Sequence, residues 1–390
     1  MANRLLSFWR SSGAGVTPGS STHTYQGQVF GGAFPSSSTD LYGVACDWSG
    51  NVYVADSNQS CIYKFTSEAK YSAADAEGGI YVFAGSPGND GYVNGRGTDA
   101  RFKNPRGIVC DRSGNLYVAD TGNNRVRKID KDGYATTIAG GFNGPFDVTV
   151  SMAGVVYVAD TNNHKIYKID GGRKLLFAGR TVGNVFGLDG NGLKVQNGAA
   201  TEPKFKYPKG ITMDRSGNLY VSDTGNYQVK KISPDGWVTL YAGEGTKGNV
   251  NGKFDVARFV NPIFIEANSS GDLYLIDRVG GKNRLKYINL NGDVASVAYL
   301  PGGESLGVEG ALGVSVDPSD RAYVVSSLGR QPMQSSSSSS LGSSESSSSI
   351  SGSTSSDLNS SSSSSSSSSE SSETSSLSSK SVSSVSTSGR

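Results

Sequence analysis

The chain of 390 residues contains no run of about twenty apolar residues, so nothing in it reads as a segment able to span a bilayer. Cysteine is scarce: Cys46, Cys61 and Cys110 do not amount to a disulfide framework, and the redox compartment stays open. Cys46 and Cys110 share one register with Val150, Met213, Ala267 and Val316, so they read as small buried hydrophobes. Histidine occurs only as His23 and His164. Charge nearly balances at +2, which is too little to imply nucleic acid or an anionic membrane. Helical periodicity is absent, and no Ser-His-Asp order or activated nucleophile can be read. The first ten residues offer only Leu5, Leu6, Phe8 and Trp9 as apolar content, with no small-residue cleavage site, and read as structure rather than as a signal peptide.

What is present is a repeated phrase. Gly107-Ile108-Val109-Cys110-Asp111-Arg112-Ser113-Gly114-Asn115-Leu116-Tyr117-Val118-Ala119-Asp120 returns almost unchanged from Gly210 to Asp223, with looser copies starting at Gly43, Asp147, Phe264 and Gly313. Such spacing, made of short strands, marks a radial or solenoidal array. Each copy resolves into four strands joined by tight turns. In the turn Asp111-Arg112-Ser113-Gly114-Asn115, Asp and Ser bond their own backbone and Gly takes a positive φ. The 52 glycines suit so many turns. Four-stranded units repeated radially make a β-propeller.

First strands near Tyr42, Pro105, Pro145, Pro208, Pro262 and Leu312 predict an all-β, six-bladed propeller of antiparallel blades. The last copy lacks its third and fourth strands. Asn3-Arg4-Leu5-Leu6-Ser7-Phe8 matches third strands, and Gln28-Val29-Phe30-Gly31-Gly32 matches fourth strands. Blade six is therefore expected from about 3–32 plus 310–327, closing the ring and removing open sheet edges. The propeller is expected over 1–334. Residues 335–390 are almost all serine, with too little apolar surface to offset ordering entropy, and are expected to be a disordered low-complexity tail. That tail reads either as an expanded repeat without a role or as a phosphorylated or O-glycosylated spacer.

The pattern Pro-x-Gly-Ile-x-x-Asp-x-x-Gly-Asn-Leu-Tyr-Val-Ala-Asp-Thr-x-Asn-x-Arg-Val-x-Lys-Ile resembles the NHL repeat, most closely in the copies at Pro105 and Pro208. The resemblance implies a propeller that serves as an RNA- or protein-binding platform, a bacterial sensor domain or a peptide-amidating lyase domain, and fold alone does not choose among these. Two histidines cannot build the three-histidine site that the lyase would imply. No metal site or other cofactor is expected.

Unequal loops give the one functional clue. Long connections at 86–104, 180–207 and 244–261 leave the face opposite the tight turns and share a pattern ending in Phe102, Phe205 and Phe259. Those phenylalanines read as plugs between blades. The Asp closing each second strand (Asp56, Asp120, Asp160, Asp223, Asp277) reads as a cap on the loop that follows it, rather than as a metal ligand. Loop positions that differ between copies, Gln59, Asn124, His164, Tyr227 and Lys282, mark a ligand surface on the long-loop face, with Arg101 and Arg125 beside them. Asp147 and Glu266 break the repeat on innermost strands and are channel candidates.

The leading expectation is a non-catalytic, monomeric binding or scaffold propeller for a protein, peptide or glycan. The alternatives are a metal-assisted hydrolase or lyase using channel carboxylates, and single-stranded RNA binding through Arg96, Arg101, Lys103, Arg106, Arg125 and Lys209. No localisation follows from the sequence.

Overall fold

In the computed structural model, each inner hairpin is built around one aspartate. Asp111 Oδ1 accepts the N–H groups of Ser113 and Asn115 at 2.9 and 2.8 Å, and its Oδ2 accepts the Asn115 amide and Tyr117 hydroxyl at 2.8 and 3.2 Å. Asp47 and Asp214 hold Tyr53 and Tyr220 in the same way. Gly114 lies at φ +81°, a conformation that strains any side chain. The repeated phrase therefore encodes a hairpin and aims its tyrosine.

The structure describes residues 4–10, 22–24, 26–30, 41–66, 80–179, 205–280, 282–298, 311–317 and 320–329. Their strands form six sheets. Five are antiparallel blades of consecutive strands, with innermost strands Leu41–Cys46, Pro105–Cys110, Pro145–Val150, Pro208–Met213 and Pro262–Ala267. Second strands such as Val52–Asp56, Leu116–Asp120 and Leu219–Asp223 are buried at every position. Neighbouring blades cover both faces, which is why these strands read as unbroken apolar runs instead of alternating.

The remaining sheet is composite. Ala311–Val316 pairs with Arg321–Gly329, which pairs with Arg4–Arg10, which pairs with Gln26–Phe30. Its inner strand neighbours those starting at Leu41 and Pro262. Contacts divide the chain into Met1–Pro332 and Met333–Arg390; the serine-rich segment, and with it the expectation of disorder, lies outside the described residues.

Three devices join the blades. Thr121, Thr161 and Thr224 each donate a hydroxyl to the proline carbonyl opening the next blade (Pro145, Pro208, Pro262) at 2.6, 2.7 and 2.6 Å. The inner glycines allow close approach: a Cβ on Gly210 would lie 2.5 Å from the Ile263 carbonyl oxygen, and one on Gly313 would lie 1.9 Å from that of Tyr42. Phe102, Phe205 and Phe259 are buried in clusters that mix residues of adjacent blades, as plugs should be.

The long loops depart from the sequence reading. The loop before blade two lays Gly95–Arg96 along that blade's outermost strand, and the loop before blade five bridges Gly252 to Val294 in the same manner. A buried cation on each third strand fastens them. Arg127 donates to the carbonyls of Val93 and Arg101, to Asn94 and to Asp120, and lies over Phe102; Lys286 donates to Asn251 and lies over Phe259. These two loops are thus straps on the blade edge, not free ligand-binding arms.

The second-strand aspartates also act differently from expectation. Asp120, Asp160 and Asp223 accept the backbone N–H groups of Lys103, Asn143 and Lys206 at 2.7 Å each. Asp277 accepts those of Val260 and Asn261. The N–H groups belong to the chain entering the same blade, while the following turn is held through the side-chain amides of Asn123, Asn163 and Asn226, which donate to Asp120, Asp160 and Asp223. Asp56 instead accepts backbone N–H groups of its own following turn, from Asn58 and Gln59. Blade five's outermost strand, Val294–Ala298, pairs with Lys282–Ile288 and receives the Gly252 bridge at Val294. Thr22–Thr24 adds a parallel edge strand beside it, which the sequence did not announce.

Candidate functional site

The face bearing the long connections opens into a funnel of about 870 Å³. Its floor is aromatic. Phe146 is buried, with Phe264 at 5.2 Å and Tyr42 at 6.0 Å between ring centroids. Four rings and cations occupy one repeat position, immediately after the residue that opens an inner strand: Tyr42, Arg106, Phe146 and Lys209, the last three of which line the funnel. That position points its side chain to the mouth of the ring, so variation there sets the character of the mouth.

The charge on this floor is of one sign. The Arg106 guanidinium lies 4.8 Å from the centroid of Phe146 and 5.1 Å from that of Tyr42, and the Lys209 ammonium lies 5.5 Å from Phe146. Arg278 lines the same funnel, and among the described residues no acidic side chain does. None of these three cations makes an ion pair among the described residues, and Arg106 Nε is buried without a hydrogen-bond partner. Burial, reinforced by the charges of Arg106 and Arg278, holds the Lys209 ammonium below the usual lysine range.

Below the aromatic floor runs the channel, a cavity of about 80 Å³ lined by residues of all six inner strands. Asp147 and Glu266 both line it, as the sequence placed them. Asp147 stands where other copies have glycine and accepts the N–H groups of Val148 and Ile211 at 2.9 and 3.1 Å. Burial raises its carboxyl far above the ordinary range; those two bonds pull the other way, and Glu266 adds to the rise. Glu266 accepts the Thr212 hydroxyl at 3.2 Å and is pushed up to about 8, chiefly by burial. Both therefore favour the neutral, proton-carrying form. Among the described residues no group of three or more His, Cys, Asp and Glu side chains could hold a metal ion. Cys46 and Cys110 line this channel too, and burial pushes the Cys110 thiol up to about 12, which makes it unreactive.

The other sequence candidates scatter. Tyr227 lines the funnel. His164 stands at its rim: its Nδ1 accepts the Tyr207 N–H at 3.0 Å, the two rings meet edge to face at 4.5 Å, and burial lowers its basicity. Asn124 is a turn residue at φ +54° that accepts the Gly144 N–H at 2.8 Å. The left-handed position shared with Asn124, His164 and Tyr227 is Ser60 in blade one, not Gln59. Arg101 and Arg125 do not line the funnel. Arg101 is held against the carbonyls of Thr98 and Ala100 in a strap, and Arg125 lies 4.1 Å from the centroid of Tyr92. Lys282 begins a strand, Lys282–Ile288, because blade five replaces the usual turn with a longer hairpin; its side chain lies outside what is described.

Arg278, Phe146 and Tyr207 were missed. Arg278 carried a legible signal: it follows Asp277 where blades two, three and four have the clamping threonine.

Blades of antiparallel strands around a narrow channel, with a funnel on one face, define a β-propeller. Within that fold, two NHL family models match parts of the chain. The NHL repeat model matches residues 205–232, and the teneurin NHL domain model matches residues 35–144. The chain is similar to the human NHL repeat-containing protein 2, with 30% identity over 237 residues, covering 58% of this chain and 26% of that protein. It is also similar to the Arabidopsis thaliana protein SUPPRESSOR OF QUENCHING 1, chloroplastic, with 28% identity over 124 residues, 31% of this chain and 11% of the relative. The chain thus spans about a quarter or less of these relatives' lengths. Among solved structures, a catalytically inactive virginiamycin B lyase from Staphylococcus aureus with quinupristin superposes with a TM-score of 0.50 at 13% identity, covering 83% of this chain and 96% of that one. At that identity the likeness speaks to the fold.

Proposed function

We propose that this protein is a non-catalytic binding propeller, closed as a six-bladed ring by its composite sheet, and that a peptide segment of a protein partner seats in the funnel. The observation that carries this reading is the funnel itself. Its volume falls in the range of sites that bury a compact ligand group. Rings and cations line it at positions that differ from blade to blade, on a scaffold otherwise spent on turns and core. The channel carboxyls fit a hydrolytic role less well. Phe146, Phe264 and Tyr42 separate them from the funnel, and Asp147 is occupied by two backbone N–H groups.

The test is affinity purification from the native source with the full chain and with a Tyr207→Ala/Lys247→Glu variant. Both side chains are exposed and line the funnel. The partner should fall at least about tenfold in the variant, with thermal unfolding unchanged, as expected for loss of an aromatic contact and reversal of a charge. Full recovery of the partner would place binding elsewhere.

A further inference from the structure

The funnel floor holds an electrostatic imbalance that the fold does not resolve by itself. Arg106, Lys209 and Arg278 converge on one concavity with no acidic side chain among its lining residues. Like charges gathered in a partly dehydrated site repel, and the Lys209 ammonium, lowered in basicity first by burial, is lowered further by Arg106 and Arg278. Among the described residues nothing on the floor supplies the missing acceptor. Asp147 lies beneath the aromatic layer and already receives two N–H groups, and the faces of Phe146 and Tyr42 occupy the underside of the Arg106 guanidinium. Arg106 Nε is a buried donor left without a hydrogen-bond partner, a cost that a ligand acceptor would relieve.

We propose that this floor is a seat for a phosphomonoester group, carried on the peptide segment that enters the funnel. The proposal rests on the binding reading above and names the chemistry of what is bound. A phosphomonoester brings close to two negative charges and three acceptor oxygens, against one charge and two oxygens for a carboxylate. Three cations from three different blades match the larger charge, and two of them are planar guanidiniums suited to paired N–H···O contacts with phosphate. Phe146 and Tyr207 add apolar surface beside the cations for the group bearing the phosphate. The arrangement is a pocket closed by an aromatic floor rather than an open groove, so it suits a terminal group better than the continuous backbone of a nucleic acid.

The experiment uses the full-length protein and titration calorimetry at two salt concentrations. Four probes are phenyl phosphate, benzoate, an acetylated Gly-phosphotyrosine-Gly peptide and a single-stranded oligonucleotide. Phenyl phosphate and the phosphopeptide should bind, with benzoate at least tenfold weaker. Arg278→Ala, which alters an exposed side chain outside the core, should weaken both phosphorylated probes by about tenfold or more, and Arg278→Lys should recover part of that loss. A tighter phosphopeptide than phenyl phosphate assigns the group to a partner's side chain, as proposed. Equal binding of benzoate, insensitivity to Arg278→Ala, or a preference for free phenyl phosphate over the phosphopeptide would overturn the assignment, as would binding of the oligonucleotide alone. The two readings separate cleanly. If the phosphorylated probes fail while Tyr207→Ala/Lys247→Glu still loses the native partner, the seat is wrong and the binding face stands. If the probes bind and the partner is indifferent to that variant, the reverse holds.

Discussion

At the residue scale, polar side chains at fixed repeat positions do three kinds of work. Asp111 shapes a turn, Asp120 holds the chain entering its blade, and Asp147, two registers from any turn, sits in the channel with its proton. Burial raises the Asp120 and Asp147 carboxyls above their ordinary range. The Glu266 carboxyl gives this a measurable form. Raised from 4.5 to about 8 in the folded protein, it keeps a proton that the unfolded chain releases. Its contribution to stability is therefore complete below about pH 4.5 and is lost as pH climbs through 8. Glu266→Gln should leave the melting temperature unchanged at pH 4 and raise it by several degrees at pH 9. An equal shift at both pH values would show that the variant acts through packing instead. The sequence exposed Asp147 and Glu266 because each breaks the repeat, whereas the roles of Arg106 and Lys209 were legible only as members of a diffuse basic set. Their meaning comes from the aromatic layer beneath them, which joins Tyr42, Phe146 and Phe264 from three distant copies.

At the element scale, strands were readable and their edges were not. Inner hairpins are written in local turn chemistry, so Asp, Gly and Asn placed them nearly to the residue. The straps depend on Arg127 reaching Val93 and Asn94 and on Lys286 reaching Asn251, contacts across a loop that no local pattern announces. Long loops with a shared motif accordingly looked like ligand arms, although their common phenylalanine already marked a structural task. Inner strands, by contrast, are limited by backbone clearance. Gly210→Ala would push a methyl group to 2.5 Å from the Ile263 carbonyl, in a place where no side chain can yield. It should cost about 1–3 kcal/mol in denaturant unfolding. Gly171→Ala, whose added carbon meets nothing within 4 Å at φ +55°, should cost only about 1 kcal/mol of backbone strain. Equal costs would mean that the inner strands can move apart.

At the scale of the whole molecule, blade order was legible because each repeat is a unit, and the ring's charge was not, because net charge conceals where charges meet. The composite sheet carries the closing prediction. Removing residues 1–30 takes away one of the two strands paired with Arg321–Gly329 and leaves that edge of the strand exposed. The shortened chain should self-associate in light scattering, and a synthetic peptide of residues 1–30 should reverse this. A monomeric truncation that melts like the intact protein would remove the sheet from any role in closure. Pairing of Leu6 with Val325 also has a meaning in time. The strand Arg4–Arg10 is synthesised well before its partner Arg321–Gly329, a wait on the order of tens of seconds at ordinary translation rates. Until then it is a guest without a host, so whatever shields nascent chains in the producing cell must cover it for that whole interval.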